Sequence, residues 1–378
     1  MLGLDFFNRK EKFLLLEIAP RRTSGLLLSV DKDKKISAEK FWDNFSFKVF
    51  KGDPLKSLRK RQIILSLHPA FINTLFCGLT VERDKDLIGK EITLPEIENL
   101  FSRSLGKLFN EYRKDAASRM GLPEIDTILV GVKTNNFKVD GHLVLNPIGF
   151  KGKTVEAGLE LTFTTRELFD DLKDFFKAQD GFFLTGIPRA AIFTISKLEP
   201  PPLGFFMLHP ESSFYFVLDR SAGTKTVREG KISWSSDSLF DAISGNLGVS
   251  PDVTLSIYFR HLDGKTSAVF KRSIENLLKP VKQALFSEIK DLNIGGNAYL
   301  YSAAPLPINF PFRACGATLK DLPLDEALQR FGFSLDRSKP LLSNGEMFMK
   351  LAPFFEFYFG KNDSEINKRL KRRLHWLT

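Results

Sequence analysis

One pattern occurs twice in this chain. Near the amino terminus "KFLLLEIAP" runs into "TSGLLLSVDKDKKI": an apolar strand, a tight connection, a second apolar strand and a charged turn. Past the midpoint, "SSFYFVLDRSAGTKTVREGKISW" repeats that order. Apolar runs bounded by Gly, Pro and charged clusters predict strands, and helical periodicity follows each hairpin. Such a chain is constrained to two related α/β halves. Its 378 residues exceed one ordinary core.

Between the pieces of the first half the period changes. In "EITLPEIENLFSRSLGKLFNEYRKDAASRMG", Ile97, Leu100, Phe101, Leu105, Leu108 and Phe109 fall at helical spacing, with Thr93 and Glu96 placed for a capping box and Gly121 for a stop. "IDTILVGVKTNNFKVDGHLVLNPIGFKGKTVEAGLELTFTT" reads as strand and turn. Residues 75–165 are therefore expected to form a small α+β unit inserted into the first half, which takes 11–74 and 166–205. "KLEPPPLG" is the clearest linker, since three prolines continue neither a helix nor a central strand. The second half is expected at 212–235 and 289–345, with a subdomain of mixed strand and helix at 236–288, and a linker plus tail at 361–378.

Composition narrows the functions. Hydrophobic residues at 43% and charged residues at 26% describe a globular chain. The 37 phenylalanines against 6 tyrosines and 3 tryptophans favour a Phe-rich core over a recognition surface. Cys77 and Cys315 show no metal-ligand spacing and the five histidines no paired motif, so no metal is expected and a reduced, cytoplasmic setting is. The opening "MLGLDFFNRKEK" does not read as a secretory leader, and no apolar run is long enough to span a bilayer. The basic stretch "KSLRKR" has no aromatics interleaved with its cations and reads as a solvated loop, so no nucleic-acid partner is expected.

Three turns could hold phosphate, because backbone N–H groups approach an anion closely where glycine frees the backbone. They are "EIAPRRTSG", "DRSAGTKT" and "IGGNA". Their order, together with "NPIGFKGKTVEAGLELTFTT" and "EITLPEIENLF", resembles the actin-like ATPase superfamily. Within it the closer resemblance is to the FtsA family of bacterial division proteins, with the pilus-associated PilM family second. The resemblance implies ribonuclease-H-like duplicated halves around a cleft, with residues 75–165 as the inserted subdomain called 1C. It implies ATP with magnesium as cofactor, at Glu17, Thr23, Asp219, Gly223, Thr224, Gly295, Gly296 and Asn297. Departures from the family pattern mark that site as degenerate. Glu17 stands for a shorter aspartate, Ala19 and Pro20 replace a turn that should donate N–H groups, and Ser221 and Ala222 replace glycines. Efficient hydrolysis is not expected; Arg21 and Arg22 are the nearest compensating charge.

The chain closes on "INKRLKRRLHWLT", which carries five basic residues and no acid, out of a net charge of +10. Ile366, Leu370, Leu374 and Leu377 recur on one helical face, Trp376 lies at its margin, and Lys368, Arg369, Lys371, Arg372 and Arg373 flank or oppose it. Such a helix suits an anionic membrane surface, as does the FtsA resemblance. The expectation is an adaptor on the inner face of the cell membrane that tethers an FtsZ-like division filament and polymerises with itself. The alternatives are a PilM-like cytoplasmic scaffold of type IV pilus assembly and an active actin-like ATPase.

Overall fold

The computed structural model describes residues 10–44, 61–176, 182–221, 224–307, 316–338, 341–360 and 364–373; the side chains of 220–225 and 371–373 lie outside that description. The chain forms two compact units. One comprises Met1–Thr194, Asp325–Ser343 and Met347–Thr378, the other Ile195–Leu324 and Asn344–Glu346.

In the first unit β1 (Glu11–Ile18) and β2 (Thr23–Val30) make an antiparallel hairpin that β3 (Lys35–Trp42) extends as a meander. On the other side of β1, β4 (Gln62–Leu67) runs parallel to it. Side chains alternate across the sheet. Leu14, Leu16 and Ile18 join Ile63, Leu65 and Leu67 in one buried layer, while Phe13 points to the opposite face.

The chain then leaves this sheet. β5 (Ile72–Glu82), β6 (Thr127–Val139), β7 (His142–Leu143) and β8 (Thr154–Thr165) form a separate antiparallel sheet in the order β5-β8-β6-β7, covered by α1 (Leu94–Met120). Thr93 and Glu96 form the expected capping box, and Gly121 ends α1 at a φ of 71°, where a Cβ would be strained. Arg83, its side chain fully buried, ties the two ends of this unit together. It pairs with Glu96 at 2.6 and 3.0 Å and donates to the carbonyls of Lys90 and Gly152 at 3.0 and 2.8 Å. Helix α2 (Arg166–Phe175), N-capped by Thr165, sends Leu172 to the first sheet, and β9 (Phe182–Gly186) then pairs parallel with β4.

Helix α3 (Ile187–Leu198) leads through the prolines to the second unit. There β10 (Leu203–Leu208), β11 (Ser213–Ser221) and β12 (Thr224–Ile232) make an antiparallel meander, and β13 (Asn297–Ser302) and β14 (Thr318–Lys320) add in parallel beside β10. The order β12-β11-β10-β13-β14 reproduces β3-β2-β1-β4-β9 strand for strand. The duplication is real, but one strand out of step with the sequence pattern. The counterpart of the β1–β2 hairpin is β10–β11, not β11–β12. β10, "LGFFML", is buried on both faces and shows no alternation, so after the prolines it does not announce itself.

Residues 236–288, expected as mixed strand and helix, contain three helices: α4 (Ser236–Leu247), α5 (Pro251–Leu262) and α6 (Ala268–Lys290), the last with Pro280 inside it. Their buried positions, such as Ile274, Leu278, Leu285 and Ile289, keep helical spacing throughout. Helix α7 (Leu324–Phe331) precedes β15 (Ser334–Leu335), which pairs with β3. Asp325–Ser343 thus belongs to the first unit, not to the second half as expected, and the second unit already opens at Ile195. Helix α8 (Asn344–Gly360) is apolar almost all round and packs Phe354 edge-on to Phe13, ring centres 5.0 Å apart. Helix α9 (Glu365–Arg373) closes the described chain. Among the described residues no helix is long and apolar enough to cross a membrane.

Candidate functional site

Glu17 is the third residue on the Phe13–Leu15 face of β1, against which α8 packs. There it meets Lys350 of α8, whose ammonium donates to Glu17 Oε2 at 2.8 Å and also to the hydroxyl of Ser24. Lys350 is only 8% exposed and Ser24 3%. Burying an ammonium is tolerable only with such partners. In the turn beyond, Ala19 N–H donates to the Arg22 carbonyl at 2.9 Å, Arg22 N–H returns to Ala19 at 3.3 Å, and Pro20 has no N–H to offer. Arg22 turns its guanidinium to Asp43, and Thr23 begins β2 opposite Ile18.

In the second unit, Asp219 accepts from Arg228 Nε at 2.8 Å across the β11–β12 hairpin, and Arg228 also donates to the Leu292 carbonyl. Gly223 lies outside the described residues, and Thr224 starts β12. By strand order this hairpin is not the counterpart of the first turn. That place falls to Leu208–Ser213, "LHPESS", and the strand position matching Glu17 is the buried Met207. Pro210 removes a donor there and Glu211 adds an acid. The Pro210 carbonyl accepts from Asp237 N–H at 3.1 Å and from the Ser235 hydroxyl, while Ser235 Oγ accepts from Ser238 N–H at 3.3 Å. Two of the first N–H groups of α4, a natural anion site, are thereby used within the chain.

The Gly-Gly turn has its own structural reason. Gly295 has a φ of 65°, and a Cβ on Gly296 would collide with the Pro202 carbonyl. Asn297 donates to Glu199 at 2.6 Å, as does Lys320. Burial pushes the Glu199 carboxyl up, but bonds from Lys320, Asn297 and Tyr299 outweigh it and hold the group below its ordinary value.

These residues do not fit a magnesium nucleotide. The carboxylate meant for the cation already holds an ammonium, both hairpin turns carry proline where donors are needed, and Asp219 and Asn297 are bonded to Arg228 and Glu199. Among the described residues no group of three or more His, Cys, Asp or Glu could hold a metal.

The tail expectation meets a direct correction. Ile366 and Leu370, read as membrane-facing, are 3% and 0% exposed and sit in the core of the inserted sheet and α1. Between them Asn367 accepts from Thr134 N–H at 2.8 Å and from its hydroxyl at 2.7 Å, and returns a bond to the Thr134 carbonyl. Arg369 pairs with Glu98 of α1 at 3.1 Å. Lys368 is exposed. The side chains of Lys371, Arg372 and Arg373, and Leu374, Trp376 and Leu377 entirely, lie outside the described residues.

Sequence reading missed a polar cluster built around a fully buried acid. Glu356 of α8, 0% exposed, accepts from Thr185 at 2.6 Å and from Arg189, with Lys133 at 3.8 Å. Arg189 also pairs with Glu160 at 2.6 Å, and Asn135 donates to the same carboxylate. The network joins β9, α3 and α8 to β6 and β8, within the first unit. The available signal was a lone acid in "FFEFYF": a single charge in an apolar helix demands a partner.

No protein-family model and no curated protein matches the chain. Solved structures do. A chain of the "PilM-PilN type IV pilus biogenesis complex" aligns over 96% of this chain and 98% of its own, with a TM-score of 0.52 at 13% identity. With the duplicated strand order, that decides the architecture. The fold is that of the actin-like ATPases. Two other structures resemble it less. A Bacteroides thetaiotaomicron protein with actin-like ATPase fold and unknown function has a TM-score of 0.38 at 8% identity, covering 93% of this chain and 98% of its own. A diol dehydratase-reactivating factor in nucleotide-free form has 0.41 at 8%, covering 92% and 100%. At those scores neither adds to what the actin-like topology says of this chain.

Proposed function

We propose that this chain is a PilM-like scaffold of a type IV pilus-type assembly. It would act at the cytoplasmic face of the membrane by holding a PilN-like partner through that partner's cytoplasmic segment. The observation that carries the reading is the near full-length likeness to a chain of the PilM–PilN complex. Two features of the chain agree with it. Ile366 and Leu370, half of the stripe expected to meet a membrane, pack inside the protein, and Glu17, the Ala19–Arg22 turn and the Pro210 carbonyl are bonded within the chain. The first of these weighs against an FtsA-like anchor, and the second against an ATPase site.

The test is recovery of the tagged full-length chain from detergent-solubilised membranes, followed by titration with the short cytoplasmic segment of each single-span membrane protein recovered with it. Saturable binding of one such pilus-type segment is the expected result. Co-sedimentation with FtsZ filaments in place of that binding, or steady magnesium-dependent ATP turnover, would overturn the reading.

A further inference from the structure

We infer that Lys350 is a resident counter-ion for Glu17, occupying the place of a divalent cation, and that the first unit therefore folds and holds its shape independently of metal and nucleotide. The inference goes beyond the scaffold reading and stands or falls without reference to any partner.

Three observations carry it. First, the ammonium is not a surface partner that has drifted in. It rises from the apolar face of α8, one helical turn from Phe354, whose ring packs on Phe13 two turns of pleat along the same strand face. The Phe13–Phe354 contact therefore fixes where Lys350 reaches β1. Second, its ligands are the kind a cation takes: one carboxylate oxygen, Glu17 Oε2 at 2.8 Å, and one hydroxyl, Ser24 Oγ, supplied by directly paired residues of β1 and β2. Oxygen donors of this type hold magnesium or calcium elsewhere, and here they converge on a nitrogen. Third, a divalent ion approaching Glu17 would meet a like charge that is buried and cannot swing into water, so the two occupants exclude one another. An ordinary ion pair needs only the first of these features; cation replacement needs all three.

The experiment uses the full chain and three variants, Lys350→Met, Glu17→Gln and the double Glu17→Gln/Lys350→Met. It reads thermal unfolding with and without millimolar MgCl2, MnCl2 or Mg-ATP, and Mn2+ binding by electron paramagnetic resonance. The parent chain is expected to shift by less than about 1 °C with any of the three additions. Lys350→Met takes the ammonium away from a half-buried carboxylate, so it unfolds earlier. It also binds Mn2+ about tenfold more tightly than the parent, because the oxygen pair is vacated. The double variant removes both charges and recovers most of the lost stability without responding to Mn2+. Should Lys350→Met fail to fold, the double variant is compared directly with the parent. Unfolding within a few degrees of the parent, again without response to cations, then supports the inference. A parent chain stabilised by several degrees with Mg-ATP, with that gain lost in Glu17→Gln, would overturn it. So would a folded Lys350→Met that binds Mn2+ no better than the parent, or a double variant that does not fold.

Discussion

Asn367 does with one side chain what a neighbouring strand does with its backbone. Its amide takes both the N–H and the C=O of Thr134 and so closes an edge of β6 from helix α9. Asn367→Ala strands both backbone groups and the Thr134 hydroxyl in a buried place, and should cost about 2–4 kcal/mol in urea unfolding. Asn367→Asp keeps an acceptor for the N–H but sets a carboxylate against the carbonyl, so its folded pKa is raised above the unfolded one. Its deficit is therefore smallest in acid and grows as pH rises through the carboxylate range. A second residue-scale outcome concerns Cys77. Burial, only partly offset by a bond from Tyr112, pushes its thiol up from 9.0 to about 11. In a Cys315→Ser chain, alkylation of Cys77 near pH 8 should run about 100-fold slower than for a free thiol, read by mass spectrometry. A rate near the free-thiol rate would contradict the burial. Neither residue was legible in the sequence as it stands in the fold. A helical wheel places Asn367 beside the stripe, but spacing cannot say whether water, lipid or a strand edge lies opposite.

At the scale of elements, legibility follows how local the determinants are. Helix α1 was readable from Thr93 to Gly121, because a capping box and a left-handed glycine are encoded within a few residues of the helix ends. β10 was not, since a strand buried on both faces shows no period and only its partners β11 and β13 define it. The helices of 236–288 were blurred by short apolar runs such as "SIYF", which fit either period. Helix α9 is the sharpest case. A membrane helix and a core-docked helix share one amphipathic signature, and burial of Ile366 and Leu370 distinguishes them. Deleting 364–378 should therefore expose the core of the inserted sheet, costing about 3–6 kcal/mol from those two side chains alone. Dye binding to exposed apolar surface should rise with it. If the deletion left stability intact while releasing the chain from anionic vesicles, the core-docked assignment of α9 would be wrong.

At the scale of the whole molecule, the existence of two related halves was legible from the repeated hairpin pattern, but its register was not, since the hairpin matched to β1–β2 was β11–β12 in place of β10–β11. The return of Asp325–Ser343 to the first unit was not legible either, because its ties are a strand of two residues, β15 on β3, and the rings of Phe331 and Phe333 against Phe355 and Phe354 of α8, all distant in sequence. What holds the inserted sheet to the rest of the first unit was equally hidden, since its charges come from four separated elements, β6, β8, α3 and α8. Glu356 balances Arg189 and Lys133, and Glu160 shares Arg189. With two acids and two bases the cluster is neutral, and neutrality is what makes its burial tolerable. Glu356→Gln leaves Arg189 and Lys133 with one carboxylate between them. Uncompensated buried charge costs about 3–5 kcal/mol, and here it falls at a joint, not inside one sheet. Hydrogen exchange should therefore quicken first in β6 and β8 and in the amides around Thr185, while the second unit keeps its protection. Adding Arg189→Met to Glu356→Gln removes the excess positive charge. If charge balance sets the effect, the pair of changes should restore part of the protection that the single change loses. If exchange instead rose evenly over both units, the joint would not be a separate cooperative element, and the inserted sheet would owe its placement to apolar packing alone.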